Sequence, residues 1–199
     1  MRSIAPVLKK DLKLNSSAQS GDAIFLLKPI GTGVLSTAIK LNIIDEATEN
    51  LAITYMSKIN SLGYEIGKLD YVNAVTDITG FGLLGHIIEI CEGSNLNADV
   101  RFEKIRLIKG LEFYINEKKI VTSGGKRNSD NYREKVSPLS DFAQTVLNDP
   151  QSNGGLLVIV DGGRIRDFQV FLQENDLQAH YEPIGFFKNG SDGKRVTVL

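Results

Sequence analysis

The chain has 199 residues, 42% of them hydrophobic and 24% charged, with 23 Lys and Arg against 24 Asp and Glu. That composition excludes whole-chain disorder, and a net charge of −1 excludes the broad basic field on which non-specific nucleic-acid binders depend. No apolar run approaches the ~20 residues that cross a bilayer, and Met1–Pro6 lacks a signal-peptide core, so the expectation is a cytoplasmic protein without nucleic-acid or membrane partners.

Cys91 is the single cysteine, and His86 and His180 are the two histidines, which excludes intrachain disulfides and multi-cysteine or His-rich metal sites. A metal here would be a hard cation, magnesium or calcium, held by carboxylates.

In chain order, strand-like apolar runs alternate with helical windows, which predicts an α/β (α+β) layer architecture. Ala23–Leu27 reads as a buried strand closed by Lys28-Pro29, followed by a helix over Thr32–Lys40. A second helix is expected over Asp45–Leu62, capped by Asp45, lined by Leu51, Ile53, Met56 and Ile59, and ended by Gly63. A strand over Tyr71–Thr76 precedes a helix from Phe81 to Gly93, on one face of which fall Phe81, Leu84, Ile87, Ile88 and Cys91. Cys91 then reads as a packed core thiol. The remaining elements are a strand over Val100–Phe102, a helix over Lys109–Asn116, a polar loop over Thr122–Tyr132 and a helix over Leu139–Leu147. The strand Leu156–Val160, the helix Arg164–Glu174 and strands over Tyr181–Phe187 and Arg195–Leu199 complete the order.

Four segments combine glycine with polar side chains. In Val75–His86, a strand delivers Asp77 to its end, and Thr79, Gly80 and Gly82 lead into a helix. Amides at a helix start attract phosphate, glycine allows close approach, and a strand-end carboxylate is suited to Mg²⁺. The alternative reading is that Asp77 or Thr79 caps the helix and the glycines serve a turn. Lys28–Leu35 also places glycines between strand and helix, but Lys28 precedes them, so it is not a Walker loop. A tight connection with a surface Lys28 is the simpler reading. Ser123–Asn128 and Asn148–Gly155 are consistent both with ligand-edge loops and with ordinary turns. His86 has no nucleophile partner at a recognisable spacing and reads as a packed or capping residue. His180 receives no role.

Together, Lys28–Val34, Thr76–His86, Arg127-Asn128 and Asp149–Gln151 with Gly154–Leu157 resemble the carboxy-terminal domain of the selenophosphate synthetase (selenide, water dikinase) family, within the aminoimidazole ribonucleotide (AIR) synthetase-related superfamily. The resemblance runs from about residue 21 to about residue 185. It implies a three-layer domain with a central mixed sheet flanked by helices, and a reaction in which ATP, selenide and water give selenophosphate, AMP and phosphate. It also implies Asp77 as a Mg²⁺ ligand, while the backbone at Thr79, Gly80 and Gly82 is read, from local geometry, as facing phosphate. Two departures stand out: Thr122–Lys126 replaces the family's Pro-Gly-Gly-Thr-x loop, and Ser152-Asn153 replaces its Thr-Ser.

The family's reactive Cys or selenocysteine, its Lys, its further Mg²⁺ aspartates and much of its dimer interface belong to an amino-terminal ATP-binding domain that this sequence does not include. No catalytic residue is therefore assigned within this chain, and Cys91 does not inherit the reactive role. Residues 1–20 are expected to lead in from that domain, residues 21–199 to form the carboxy-terminal domain, and the chain alone to be inactive. The rival readings are another superfamily branch, of the hydrogenase-maturation or thiamine-phosphate kinase type, and a stand-alone phosphate-binding module.

Overall fold

The structure, a computed structural model, describes residues 12–190 and 193–199. Its centre is built from the two most apolar runs, β1 (Ala23–Leu26) and β4 (Leu156–Val160), buried along their whole length. They pair antiparallel, with Ile24 opposite Ile159 and Leu26 opposite Leu157. Around them β2 (Val72–Asp77), β3 (Leu96–Val100), β5 (Gly185–Asn189) and β6 (Val196–Val198) complete a six-stranded sheet in the order β2-β4-β1-β5-β3-β6. All neighbours are antiparallel except β3 and β6.

Strand alternation sends side chains to two faces, and helices cover both. Ile24, Leu26, Leu157 and Ile159 join one core with residues of α1 (Thr32–Lys40), α2 (Glu46–Ser57), α4 (Gly82–Ser94), α5 (Leu111–Asn116) and α7 (Asp141–Asn148). Phe25, Val158 and Val160 join the other with α3 (Gly63–Gly67) and α8 (Ile165–Glu174), where Phe25 meets Phe168 edge-on at 4.8 Å. Each such fully buried large side chain contributes roughly 1.5–3 kcal/mol. This is the expected three-layer α/β domain with a mixed sheet. Among the described residues no helix is long and apolar enough to cross a membrane.

The differences from the sequence reading have local causes. Ser123–Tyr132 is not a polar loop but a helix, α6, because the Thr122 hydroxyl accepts the Gly125 amide and closes its first turn. The second helix ends at Ser57 rather than Leu62, and Gly63 opens α3 instead of stopping α2; Ile53 and Ile59 stay exposed. β3 begins at Leu96, before the expected Val100, because Asn95 adopts the left-handed conformation that ends α4 and turns the chain straight into a strand. β5 likewise lies later than expected, after a tight turn at Gln178–His180. Phe81 is 59% exposed, whereas Leu84, Ile87, Ile88 and Cys91 are buried as read. Burial pushes the Cys91 thiol up to about 12, as befits an inert core thiol. Of the lead-in, residues 1–11 lie outside the described residues; Ala18 is buried, and its amide donates to Ser94 Oγ.

Candidate functional site

The four glycine-containing segments, far apart in sequence, fold into one hydrogen-bonded cluster at one end of the sheet. Its keystone is the buried loop after α7. Asp149 Oδ2 accepts the amides of Gly33 and Val34, at 3.0 and 3.1 Å, from the first turn of α1. Gln151 Oε1 accepts those of Gly31 and Thr32, at 2.9 and 3.1 Å. Asp149 Oδ1 also accepts the Thr122 hydroxyl, and Gln151 Nε2 returns a bond to Asp149 Oδ2. The amides with which the Gly31-Thr32-Gly33 segment would meet a phosphate are thus spent on a carboxylate and a carboxamide of the same chain. Packing agrees: a Cβ on Gly33 would lie 2.2 Å from the Pro150 carbonyl oxygen. The tight-connection reading of this segment holds, but Lys28 is not a surface residue. It is buried, and its Nζ donates to the carbonyls of Lys58 and Asn153. Burial holds its ammonium below the ordinary lysine range, with Lys58 adding repulsion.

The same loop shapes the Asp77–Gly82 turn. The Gln151 amide donates to the Thr79 carbonyl, and Asn128, buried on α6, donates through Nδ2 to the carbonyls of both Gly80 and Asn148 at 2.9 Å. Gly82 has φ +68, and a Cβ there would lie 2.8 Å from the Asn148 carbonyl carbon, so glycine is required on both counts. Gly80 differs, because an added Cβ would meet nothing within 4 Å. Asn128 and the Asp149–Gln151 segment therefore act as the scaffold of the turn, while Arg127 is exposed beside them in sequence. The sequence contained the signal for this, polar residues adjoining glycines, but not the pairing.

Asp77 stands at the end of β2, exposed, and its carboxylate makes no hydrogen bond or ion pair with a described residue. Neither Asp77 nor Thr79 caps α4, whose N-cap is Phe81 without a side-chain cap. The three backbone positions read from sequence divide. Thr79 donates its amide inward to His86 Nε2 at 3.1 Å, and Gly82 donates to the Thr79 carbonyl at 3.1 Å. The amides of Gly80 and Phe81 donate to no described residue, and both residues are exposed. Phe81, passed over in the sequence as an apolar core position, joins Gly80 in a pair of consecutive free donors in the turn that Asp77 begins. Chemically this is a place for an anion bridged by a hard cation. Among the described residues no group of three or more His, Cys, Asp and Glu gathers around a metal position. Among the described residues the turn thus offers one carboxylate, a donor set that fits a single ligand of a hard cation.

Comparison with known proteins places the chain in a family. The pattern of the "AIR synthase related protein, C-terminal domain" matches residues 19–194. Curated proteins similar to the chain include the "Selenide, water dikinase" of Pasteurella multocida (strain Pm70), 43% identical over 150 residues, covering 75% of this chain and 42% of the relative. The protein of the same name from Haemophilus influenzae (strain ATCC 51907 / DSM 11121 / KW20 / Rd) is 45% identical, with 75% and 43% covered. That of Shewanella sp. (strain W3-18-1) is 39% identical over 174 residues, with 87% and 48% covered. The chain thus spans somewhat under half the length of these relatives. Among solved structures, the hydrogenase maturation protein HypE in complex with ATP superposes with a TM-score of 0.66 at 16% identity, covering 96% of this chain and 51% of that one. Thiamine-monophosphate kinase from Stenotrophomonas maltophilia K279a gives 0.62 at 15%, covering 94% and 52%. At these identities the superpositions establish the fold alone.

Proposed function

Because the chain belongs to the family of AIR synthase related proteins, C-terminal domain, and its curated relatives at 39–45% identity are selenide, water dikinases, we propose that it is the carboxy-terminal half of an enzyme making selenophosphate from selenide, ATP and water. The observation that carries the site assignment is the pair of free amides at Gly80 and Phe81 in the turn that the unpartnered Asp77 begins. In this reading the Thr79–Gly82 turn faces the polyphosphate of ATP, and Asp77 supplies one ligand to the Mg²⁺ that offsets its charge. Thr79 and Gly82 contribute by shaping the turn, and Gly80 and Phe81 by donating. Residues 1–20 are the connection from an amino-terminal domain, and residues 21–199 are the domain that closes on the nucleotide. The reactive selenium or sulfur group and the remaining metal ligands come from that other domain, within a cytoplasmic homodimer. The HypE and thiamine-monophosphate kinase likenesses are to the shared fold, and their low identity favours neither rival branch.

Fusing the amino-terminal half of the Haemophilus influenzae relative to this chain tests the proposal. The fusion is expected to form AMP and phosphate from ATP in a selenide-dependent manner, and the 199-residue chain alone is expected to form none. AMP formation by the isolated chain, or a folded fusion whose ATP turnover ignores selenide, would overturn it.

A further inference from the structure

The inward amide of Thr79 has a single acceptor, and that acceptor is a histidine. His86 lies in the second turn of α4, 5% exposed, with Nε2 3.1 Å from the Thr79 nitrogen and 3.3 Å from its hydroxyl. An imidazole accepts an amide proton at Nε2 only when neutral with its own proton on Nδ1. The surroundings suit that form. Glu89 Oε2 stands 3.9 Å from Nδ1, on the side where this tautomer carries its proton, and Nδ1 itself is fully buried with no hydrogen-bond partner. Burial also holds the imidazole below its ordinary range, against the opposing pull of Glu89 and Asp77. Both ring nitrogens are therefore turned away from solvent. This arrangement offers neither a metal ligand nor a proton-transfer base to a molecule at the turn.

It leaves one chemical role. We propose that His86 is the positioning residue of the Asp77–Gly82 turn: by accepting the Thr79 amide it draws that amide inward and leaves the next two, Gly80 and Phe81, facing outward for a phosphate group. The proposal rests on the reading of the turn as a Mg²⁺-nucleotide face, and it deepens that reading by naming what orients the donors. Asn128 fixes the Gly80 carbonyl and Gln151 the Thr79 carbonyl. His86 supplies the third constraint, on the amide side, from the helix that the turn itself begins. Glu89, one turn on from His86, accepts Asn15 Nδ2 of the lead-in segment at Oε1.

The side chain's shape makes the idea separable from simple packing. Glutamine places a carbonyl oxygen near the position of Nε2, asparagine is too short to do so, and leucine fills the volume with no acceptor. The first measurement needs no substitution: long-range ¹⁵N NMR of the 199-residue chain at neutral pH is expected to show His86 as the Nδ1–H tautomer. The Nε2–H tautomer or an imidazolium would overturn the proposal. The second compares variants. Thr79 amide exchange should stay near the wild-type rate in His86→Gln and quicken at least tenfold in His86→Asn and His86→Leu. Binding of Mg·ATP, read on the Gly80 and Phe81 amides, should follow the same order. A leucine variant that protects the Thr79 amide as well as glutamine does would make His86 a packing residue and end the proposal. If the wild-type chain fused to the amino-terminal half of the Haemophilus influenzae relative shows no Mg·ATP response at the turn, the nucleotide reading of the turn fails, while tautomer and exchange still decide whether His86 sets its conformation.

Discussion

Replacing Asp77 by Asn in the assembled enzyme is expected to lower selenide-dependent AMP formation at least a hundredfold while leaving the stability of this domain within about 0.5 kcal/mol of wild type. The two halves of that expectation come from one fact. Asp77 is exposed at a strand end and makes no hydrogen bond or ion pair with a described residue, so no such contact among the described residues depends on its charge. A carboxylate left free in a turn with two free amides is chemically committed only to something outside the chain, and a carboxamide cannot replace it as an anionic ligand to a hard cation. Steady-state kinetics over a range of Mg²⁺ concentrations, with thermal unfolding of the same variant, separates the cases. Loss of activity together with a large fall in Tm would make Asp77 structural, and unchanged activity would remove it from the metal site.

Asp149 should behave in the opposite way. Asp149 is 1% exposed, and its carboxylate accepts from the Gly33 and Val34 amides, Gln151 Nε2 and the Thr122 hydroxyl, tying α1, α6 and the Asp77–Gly82 scaffold together. Asp149→Ala strands three buried N–H donors, each worth about 1–3 kcal/mol, and is expected to destabilise the domain by at least ~3 kcal/mol, or roughly 10 °C in Tm. Asp149→Asn keeps one acceptor oxygen and should cost only about 1 kcal/mol. The two variants also differ from wild type in pH dependence. Burial outweighs the four donors and pushes the carboxyl up to about 6, from an ordinary value of 3.8. A raised pKa means that between those two values the folded state holds more protons than the unfolded one, so this group's contribution to stability grows as pH falls from about 6 toward 4. Wild type should therefore gain on Asp149→Asn during acidification from pH 7 to pH 5, as followed by denaturant unfolding at each pH. A gap that narrows on acidification would mean that the donors, not burial, dominate at this carboxylate.

The contrast between these two aspartates shows how far the sequence was legible. Apolar runs located β1 and β4, the middle of the sheet, because burial on both faces leaves no polar residue to blur the pattern. Asp77 was legible for a similar reason: strand, carboxylate, glycine and helix follow one another within a few residues. Asp149 was not, since its partners Gly33 and Thr122 lie 116 and 27 residues away. Long-range hydrogen bonds leave no periodic trace in a sequence. The same limit hid α6, where Gly124, Gly125, Asn128 and Ser129 read as a loop by propensity. Capping by Thr122 and the two hydrogen bonds that Asn128 Nδ2 donates to the Gly80 and Asn148 carbonyls override that propensity. It also hid the division of labour at the turn. Composition marked Thr79, Gly80 and Gly82 as equivalent, but the direction of each amide depends on His86 and on the Thr79 carbonyl. The backbone resource at Phe81 was masked by its apolar side chain.

The most direct test of the site is a ¹⁵N NMR titration of the 199-residue chain with ATP, with and without Mg²⁺, in wild type and Asp77→Asn. The Gly80 and Phe81 amides should shift only when Mg²⁺ is present and the Asp77 carboxylate is intact, while the Gly33 and Val34 amides, already held by Asp149, stay in place. Shifts at Gly33 and Val34 with none at Gly80 and Phe81, or a response unaltered by Asp77→Asn, would contradict the assignment of the turn as the Mg²⁺-nucleotide face.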